Sequence, residues 1–433
     1  MSEATPYPLG SLAKSLIDGP FGSNLKSEHY VTEPGVRVVR LNNVKEGRYD
    51  DTDRVFVSDS HADSLARHDV RPGDVLIAAL GDENHPVGRA CCYPCELPPA
   101  INKVDCFRLR CNPDLAANRY VMYSLNTESV RDHLRRYEQG VTRKRINLGN
   151  LARVEINLPD LSKQDRIAEI LSTVDDAIEQ TERLIAKTQN LKAGLMHDLF
   201  TRGVLPDGRL RPPRQEAPEL YQESVLGWIP VGWGVKPIGQ VFDVQLGKML
   251  SKKSKTGKMS APYVGNRAVQ WDRVDVAALE EMDFSDSERK KYLLAPKDLL
   301  VCEGGEVGRT AMWRGEMEEC YFQKAIHRLR PKDARVIPEY MLRFMRFGDT
   351  AGIFRMFTSQ SSIAHLTREK LCAVQMPLPS EPEQRQIAGI FDAVDEDLFG
   401  QGATRNFLGG VKRGLMHDLL TGRCLGRKRD VYL

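Results

Sequence analysis

The stretch KAGLMHDLFT at residues 192–201 recurs as KRGLMHDLLT at residues 412–421, an offset of 220 residues (412 minus 192). The same offset pairs Gln164 with Gln384, and no insertion interrupts the register between residues 158 and 203. A gap-free match of this length indicates an internal duplication.

Each copy closes a long amphipathic segment. Apolar residues recur every three or four positions in the first copy, which predicts a helix from about residue 163 to 200. At about 1.5 Å per residue this helix spans roughly 57 Å. It overhangs a domain of about 150 residues, so its apolar face needs a second long helix or a partner protein.

The second long segment differs from the first in its middle. Glycines at positions 400, 402, 409 and 410 interrupt it, and each weakens an exposed helix by about 1 kcal/mol. We therefore expect a bend or a frayed turn there. Ser162 with Asp165 and Ser380 with Glu383 resemble capping boxes at the two helix starts.

The remaining sequence predicts two variable, strand-rich domains. The fold class is α+β: two mixed domains separated by two long antiparallel helices, with a pseudo-twofold internal repeat. In the first domain, short β-type runs alternate with turns, and one helix is predicted from Asn118 to Arg136. The predicted segments are a first domain at 1–160, a first helix at 161–203, a linker at 204–233, a second domain at 234–379 and a second helix at 380–425. The Pro-rich linker predicts a semi-rigid strap outside any core.

Composition is that of a soluble protein, with 41% hydrophobic and 28% charged residues among 433. The net charge of +3 is too small to indicate a nucleic-acid partner, so any basic surface must come from clustering. No apolar run approaches the roughly 18 residues of a membrane span, and the N-terminus does not resemble an export signal. We expect a cytoplasmic location without a membrane partner.

The nine cysteines favour reduced thiols. A zinc site remains an alternative for the cluster of Cys91, Cys92, Cys95, Cys106 and Cys111.

Two like helices predict a spacer that holds two domains a fixed distance apart. The alternative is that each helix folds back on its own domain. DNA suits the spacer geometry because related half-sites repeat along it at fixed spacing. Two basic clusters agree: residues 131–145 hold five Arg and one Lys, and residues 248–258 hold five Lys and no acid. Both lie in predicted loops, where they could contact phosphates.

These residues resemble the specificity subunits of type I restriction–modification systems. The resemblance rests on Leu158-Pro159 followed by Gln164-x-x-Ile167-Ala168, on the matching run from Leu378-Pro379 to Ile387-Ala388, and on both LMHDL stretches. Gly19-Pro20-Phe21-Gly22-Ser23 adds to it. Lys163 departs from the family pattern, which usually has an acid before the glutamine.

The resemblance implies that each variable domain is a target recognition domain that reads one half of a bipartite DNA sequence. The long helices would be conserved spacers that dock two methyltransferase subunits, with restriction subunits joining the complex. This chain would carry no cofactor. S-adenosylmethionine, ATP and Mg²⁺ are expected on the partner subunits, which methylate adenine or cut unmethylated DNA.

Candidate DNA contacts are turn residues beside basic ones. They are Asn84, Arg89, Arg143, Lys144, Arg145, Lys252, Lys253, Arg267, Arg309, Gln360 and Ser361. The spacer and partner-binding contacts are expected to be Ile167, Leu171, Val174, Ile178, Leu195, Met196, Ile387, Phe391, Val394, Leu415 and Met416.

The sequence contains two stretches that resemble motifs of enzymes, but neither is complete. Residues 304–310 are one residue short of a phosphate loop and have Arg309 in place of its lysine, so a tight turn is the better interpretation. His197-Asp198 and His417-Asp418 have no further ligand-spaced His or Asp. The sequence shows neither a nuclease carboxylate–lysine triad nor an S-adenosylmethionine loop. No catalytic residue is predicted. A stand-alone nuclease or methylase and a two-armed transcriptional repressor remain the alternatives.

Overall fold

Both predicted long helices are present in the computed structural model, which describes residues 5–32, 35–251, 257–357 and 365–421. Two structural units divide the chain: residues 1–182 with 403–433 form the first, and residues 183–402 form the second. Each helix contributes one half to each unit. Among the described residues, no helix is both long and apolar enough to cross a membrane. The boundaries predicted for the five segments stay a prediction.

The first unit holds the first variable domain. Its described strands are β1 Thr5–Pro8, β2 Ala13–Ile17, β3 Tyr30–Val31, β4 Val36–Val39, β5 Phe56–Val57, β6 Asp69–Val70, β7 Val75–Ala78, β8 Leu80–Gly81, β9 Ala90–Cys92, β10 Ala100–Asn102, β11 Cys106–Cys111, β12 Lys144–Arg145 and β13 Glu155–Leu158. The helices are α1 Asp59–Ser64, α2 Asn118–Leu125, α3 Glu128–Arg135, α4 Leu148–Ala152 and the long α5 Leu161–Thr201.

An antiparallel sheet of order β2-β11-β7-β9 forms the centre of this unit. A mixed sheet of order β3-β5-β4-β10-β6 accompanies it. The alternating apolar residues of β7 and β11 explain the core, because Val75, Ile77, Phe107 and Leu109 are buried on one face with α2.

The single helix predicted from Asn118 to Arg136 is wrong, because two helices occupy that range. The side-chain amide of Asn126 donates to the Ala90 carbonyl at 2.8 Å, and its carbonyl oxygen accepts from the Ala90 N–H at 3.1 Å. Thr127 then caps α3, since its hydroxyl accepts from the Val130 N–H. A capping residue directly after a side chain committed to the sheet ends one helix and starts the next.

The second unit repeats this plan. Its described strands are β14 Tyr221–Ser224, β15 Gly227–Pro230, β16 Gly234–Pro237, β17 Phe242–Leu246, β18 Ser260–Val264, β19 Val269–Gln270, β20 Arg273–Val274, β21 Glu280–Asp283, β22 Leu299–Cys302, β23 Thr310–Met312, β24 Tyr321–Phe322, β25 Ile326–Pro331 and β26 Gln375–Leu378. The helices are α6 Ile238–Val241, α7 Asp286–Tyr292, α8 Pro338–Thr350, α9 Arg368–Ala373 and the long α10 Glu381–Leu420. The central antiparallel sheet has the order β17-β25-β22-β23.

The linker contributes to the core of the second unit, so the prediction of a strap outside any core is wrong. Val204, Ile229 and Trp233 are buried in the same apolar cluster as the central sheet. β14 and β15 form a hairpin within the linker. Pro-rich composition limits backbone freedom, but it does not prevent the apolar residues between the prolines from being buried.

The two long helices run antiparallel within each unit, as predicted. In the first unit, Lys412 Nζ lies 2.6 Å from Asp175 Oδ1, and Arg405 lies 3.4 Å from Glu182. From the first pair to the second, the residue number rises along α5 and falls along α10. The two helices therefore run in opposite directions.

Equivalent contacts pair the helices in the second unit. The 220-residue offset converts the Asp175–Lys412 pair into Asp395–Lys192, which is also an ion pair. A buried hydrogen bond from Gln401 Nε2 to Thr188 Oγ1, 3.2 Å long, adds a polar contact there. The repeat in sequence is therefore also a repeat in tertiary contacts.

Apolar contacts follow the same exchange. In the first unit, Ile167 and Leu171 pack with the domain core and with Leu415 and Met416. In the second unit, Ile387 and Phe391 pack with Leu195 and Met196. Val174, Ile178 and Val394 are half-buried. The alternative in which each helix folds back only on its own domain is wrong, because the second half of each helix packs in the other domain's unit.

The glycines do not interrupt the second helix, and the predicted fraying is wrong. α10 runs unbroken from Glu381 to Leu420. Side chains that lie between these glycines are tied to α5, through Gln401 in the second unit and Arg405 in the first. Tertiary contacts of this kind override the low intrinsic helix propensity of glycine.

The capping box predicted from Ser162 and Asp165 is wrong, whereas Ser380 does directly precede the second helix, which begins at Glu381. α5 begins at Leu161, and the Asp160 carboxylate accepts from the Lys163 N–H at 3.0 Å, so Asp160 takes the capping role. In the second helix, the Glu383 side chain bonds to linker residues.

Gln164 and Gln384 tie each helix start to its own domain. The Gln164 side-chain oxygen accepts from the Ala117 N–H at 2.9 Å, and that of Gln384 accepts from the Ile337 N–H at 2.9 Å. Both glutamines are buried, and their amides donate to the carbonyls of Pro159 and Pro379. A side chain that satisfies two buried loop groups explains why the repeat keeps glutamine at this position.

Lys297 gives a stability prediction. It has φ of +74°, whereas its counterpart Gly73 has φ of +83° in the matching Pro-x-Asp turn. A left-handed backbone costs a non-glycine residue about 1–2 kcal/mol. Lys297→Gly is therefore expected to raise the free energy of unfolding by about 1 kcal/mol, measured by thermal or denaturant unfolding. Gly73→Ala should lower the free energy of unfolding by a similar amount. A loss of stability in Lys297→Gly, or a gain in Gly73→Ala, would contradict the assignment of strain.

Candidate nucleic-acid interface

One end of the central sheet in the first unit lies beside the DNA contacts that the sequence predicts for this unit. Strand pairing places Ile17, Ala78, Ala90 and Cys106 at this end. The connections that leave it are residues 18–29, 79–89 and 103–105. We call it the loop end of the first unit.

The structure brings Asn84 close to the predicted basic run. β12, which contains Lys144 and Arg145, pairs with β8 directly before the turn that carries Asn84. Asn84 and Lys144 line the same open cleft. The Asp82 carboxylate orders the turn by accepting from the Asn84 N–H at 2.9 Å and the His85 N–H at 2.8 Å. These hydrogen bonds, that from Asn84 above all, lower the pKa of the Asp82 carboxyl group.

The basic run is exposed and only partly neutralised. Lys144 Nζ lies 3.1 Å from Glu138, and Arg145 lies 2.7 Å from Asp105. In the described part of the chain, no ion pair is present at Arg143. A solvent-facing guanidinium of this kind can contact a phosphate or a base edge.

Asp18 braces the loop end from beneath. Its carboxylate accepts from the Gly19 N–H at 2.7 Å and the Asp105 N–H at 3.2 Å. Burial raises the pKa of Asp18 despite these bonds. Asp105 has φ of +69° and Ala325, its counterpart 220 residues later, has φ of +90°. Both units thus keep a left-handed residue directly before the central strand.

Arg89 lies inside the domain. Only 6% of it is exposed, and its guanidinium donates to the carbonyls of Val44 at 2.8 Å and Leu80 at 2.9 Å. Burial lowers its pKa. Its counterpart Arg309 donates to the Asn266 carbonyl at 2.9 Å and pairs with Glu306 at 3.0 Å. Both were predicted to contact DNA, and this geometry favours support of the turns from within.

The second unit has an equivalent loop end. Strand pairing places Leu246, Cys302, Thr310 and Ile326 together. The connections there begin at residues 247, 303 and 323. The Leu366 N–H donates to the Glu303 carbonyl, as the Ile146 N–H does to Ala79 in the first unit. Lys252, Lys253, Gln360 and Ser361 lie outside the described residues.

Both ends of the lysine-rich loop are fixed beside α7. Lys248 Nζ donates to the Asp283 carbonyl at 2.6 Å and pairs with Glu288 at 2.7 Å. The Gly257 and Met259 N–H groups donate to the Asp283 carboxylate at 3.1 and 2.8 Å. Lys248 therefore anchors one end of the lysine-rich cluster at residues 248–258.

Sequence reasoning missed an aromatic site at this loop end. Arg267 is exposed, as predicted for a DNA contact. Near it in sequence, Trp271 donates from its indole N–H to Glu306, and the Arg346 guanidinium lies 4.4 Å from the Trp271 ring centre. A tryptophan in a polar loop was the available signal. The stacked guanidinium cannot be read from sequence, because Arg346 lies on α8.

The open zinc alternative involves thiols that are largely buried. Burial raises the pKa of Cys92, Cys106 and Cys111 to about 12, so these groups are protonated at neutral pH. Cys91 and Cys106 pack in one apolar cluster. In the part of the chain that the structure describes, no group of three or more His, Cys, Asp or Glu is placed to hold a metal ion.

Comparisons with known proteins identify the family. The model of the type I restriction modification DNA specificity domain matches residues 85–189 and 230–401. A Methanocaldococcus jannaschii chain that bears the name of the type I restriction enzyme MjaX specificity subunit is 22% identical, over 90% of this chain and 87% of its own length. The type I restriction enzyme StySPI specificity subunit of Salmonella potsdam is 23% identical, over 87% and 79%.

A solved structure shares the fold. The type I restriction-modification system S subunit from M. genitalium superposes with a TM-score of 0.56 at 16% identity, and 96% of each chain is covered. Because the two matched segments of the family model make up more than half of the sequence, this chain belongs to the type I restriction modification DNA specificity family.

Proposed function

We propose that this chain reads a bipartite target in double-stranded DNA, with one half-site contacted by the loop end of each unit. The observation that supports this proposal is the duplicated loop end. It carries an exposed Arg143–Arg145 run in the first unit, and in the second unit it fixes Lys248 and Gly257 at the two ends of the lysine-rich segment. Paired domains of one plan suit two half-sites on one duplex. Basic loops supply the phosphate contacts that position such domains.

The same proposal extends to partner proteins. Two methyltransferase subunits would dock on the long helices, and restriction subunits would join them. Exposed apolar side chains on these helices support docking, namely Leu184, Leu191, Phe399 and Phe407. S-adenosylmethionine, ATP and Mg²⁺ would be held by the partners. This chain would be the non-catalytic subunit that directs the complex to its DNA target.

Methylome sequencing tests the proposal. Cells that express the chain with its partner methylase should show adenine methylation in one two-part motif with a fixed gap. Methylation without a two-part motif would contradict it. Turnover by the purified chain alone would favour a stand-alone enzyme, and tight binding to an operator without any methylase would favour a repressor.

A four-residue insertion next to Thr181 should lengthen the gap. Four residues add roughly 6 Å, about one helical turn, which corresponds to about one to two base pairs at roughly 3.4 Å each. Both half-sites should stay unchanged, and methylome sequencing of the variant would show this.

The control is the same insertion between Val225 and Leu226, at the exposed tip of the β14–β15 hairpin. It should leave the gap as it was. Changed half-sites with an unchanged gap in the Thr181 variant would refute the spacer role.

A further inference from the structure

Phe21 is an exposed aromatic residue at the loop end of the first unit. Its exposed fraction is 59%, although it lies in a well-anchored turn. Before it, Gly19 is so close to the chain that a Cβ there would lie 2.0 Å from the Lys103 carbonyl carbon. After it, His61 Nε2 lies 2.9 Å from the Asn24 carbonyl, and Leu25 is buried. The turn therefore holds the ring outward between two fixed points.

Met249 occupies the same place in the second unit. Gly247, two residues earlier, would put a Cβ 2.2 Å from the Gln323 carbonyl oxygen, and Gln323 is the counterpart of Lys103 at the 220-residue offset. Lys248 is fixed by its bonds to Asp283 and Glu288. The exposed fraction of Met249 is 61%. The repeat keeps a large apolar side chain at this tip although the surrounding sequence has diverged.

An apolar side chain held outward at a loop end that contacts DNA can pack only against apolar groups of the duplex. Duplex DNA offers one in its grooves, as thymine methyl groups and as base faces at a step that opens. Phosphate groups offer no apolar surface, and the charged side chains of the loop ends can contact them instead. Each apolar tip can therefore make a contact that the charged side chains of the loop ends cannot make.

We propose that Phe21 and Met249 are base-contacting residues that read one position in the first and second half-site, respectively. The assignment rests on the proposed DNA-reading function. It gives a role to the Gly-Pro-Phe-Gly-Ser turn, whose glycines permit the tight approach of Gly19 and the left-handed Gly22, with φ of +60°.

The test uses the chain in complex with its methylase and 30-base-pair duplexes that carry the motif found by methylome sequencing. Phe21→Ser and Met249→Ser should each weaken binding roughly tenfold, the size of one lost base contact. Phe21→Leu, which keeps an apolar group, should lose less. Val225→Ser is the matched control, because Val225 is 81% exposed on the β14–β15 hairpin and not at a loop end.

Two further measurements separate base contact from other effects. Loss of an apolar contact should leave the salt dependence of binding unchanged, since no counterion is involved. Duplexes substituted base by base should show lost discrimination in one half-site for Phe21→Ser and in the other for Met249→Ser. Unchanged melting temperatures should show that the variants fold.

The outcomes distinguish the two proposals. If the parent complex does not prefer the motif over scrambled DNA, the proposed function fails. If the parent prefers it and both serine variants bind with the parent's affinity and base preferences, the assignment of Phe21 and Met249 is overturned. Equal weakening on motif and scrambled DNA would also overturn it.

Discussion

Replacing Glu383 with alanine is expected to lower the free energy of unfolding of the second unit by about 3–5 kcal/mol, the usual result of removing one partner from a buried ion pair. The Glu383 carboxylate accepts from the Val204 N–H and the Trp233 indole N–H, both at 3.0 Å, and pairs with Arg211. Without it, the Arg211 charge and two buried N–H donors lose their acceptor. The variant would also loosen the link between the end of α5 and the start of α10.

Scanning calorimetry measures this change as a fall in melting temperature of roughly 10 °C, at about 2–4 °C per kcal/mol for a unit of this size. Lys163→Ala is the matched control, because Lys163 is the equivalent residue of the first repeat. It is half-buried and pairs locally with Asp160 at 2.7 Å, so its loss should cost at most about 0.5 kcal/mol. Equal effects in both variants would refute the role given to Glu383.

Removal of Arg143 and Lys144 together is expected to weaken DNA binding by the complex roughly 50-fold at 0.1 M salt. Each phosphate contact lowers the slope of log affinity against log salt by about 0.9, so the double alanine variant should lose about two units of slope. The loss should be similar for motif and scrambled duplexes, because phosphate contacts carry no sequence information. Fluorescence anisotropy across a salt series measures both quantities.

The double variant Arg209→Ala with Arg335→Ala removes the same charge from exposed sites. Arg209 lies in the linker, and Arg335 follows the strand end opposite the loop end of the second unit. It should change neither affinity nor slope by much. An equal loss in this control would mean that net charge, and not the Arg143 surface, drives binding.

Several features follow from the sequence because they depend on local pattern. The 220-residue repeat, the two long helices and their mutual packing are confirmed. Regular apolar spacing defines a helix face before any tertiary contact exists, and two equivalent faces in one chain find each other. The family can also be predicted from the sequence, because the residues that carry the resemblance recur in both copies of the repeat at the same offset.

Other features depend on atoms that are distant in sequence. Arg89 and Arg143 look alike as loop arginines, yet Arg89 is buried because carbonyls from residues 44 and 80 converge on it. The break at Asn126 depends on a partner in β9.

The sequence by itself determined that the chain is a duplication with two domains, two paired helices and a DNA-specificity relationship. Only the tertiary structure decided that each unit combines the first half of one helix with the second half of the other. It also decided which charged side chains stay in solvent and which support the loops. The physical reason is that helix periodicity is written in neighbouring residues, whereas burial of a charge is decided by groups that meet only after folding.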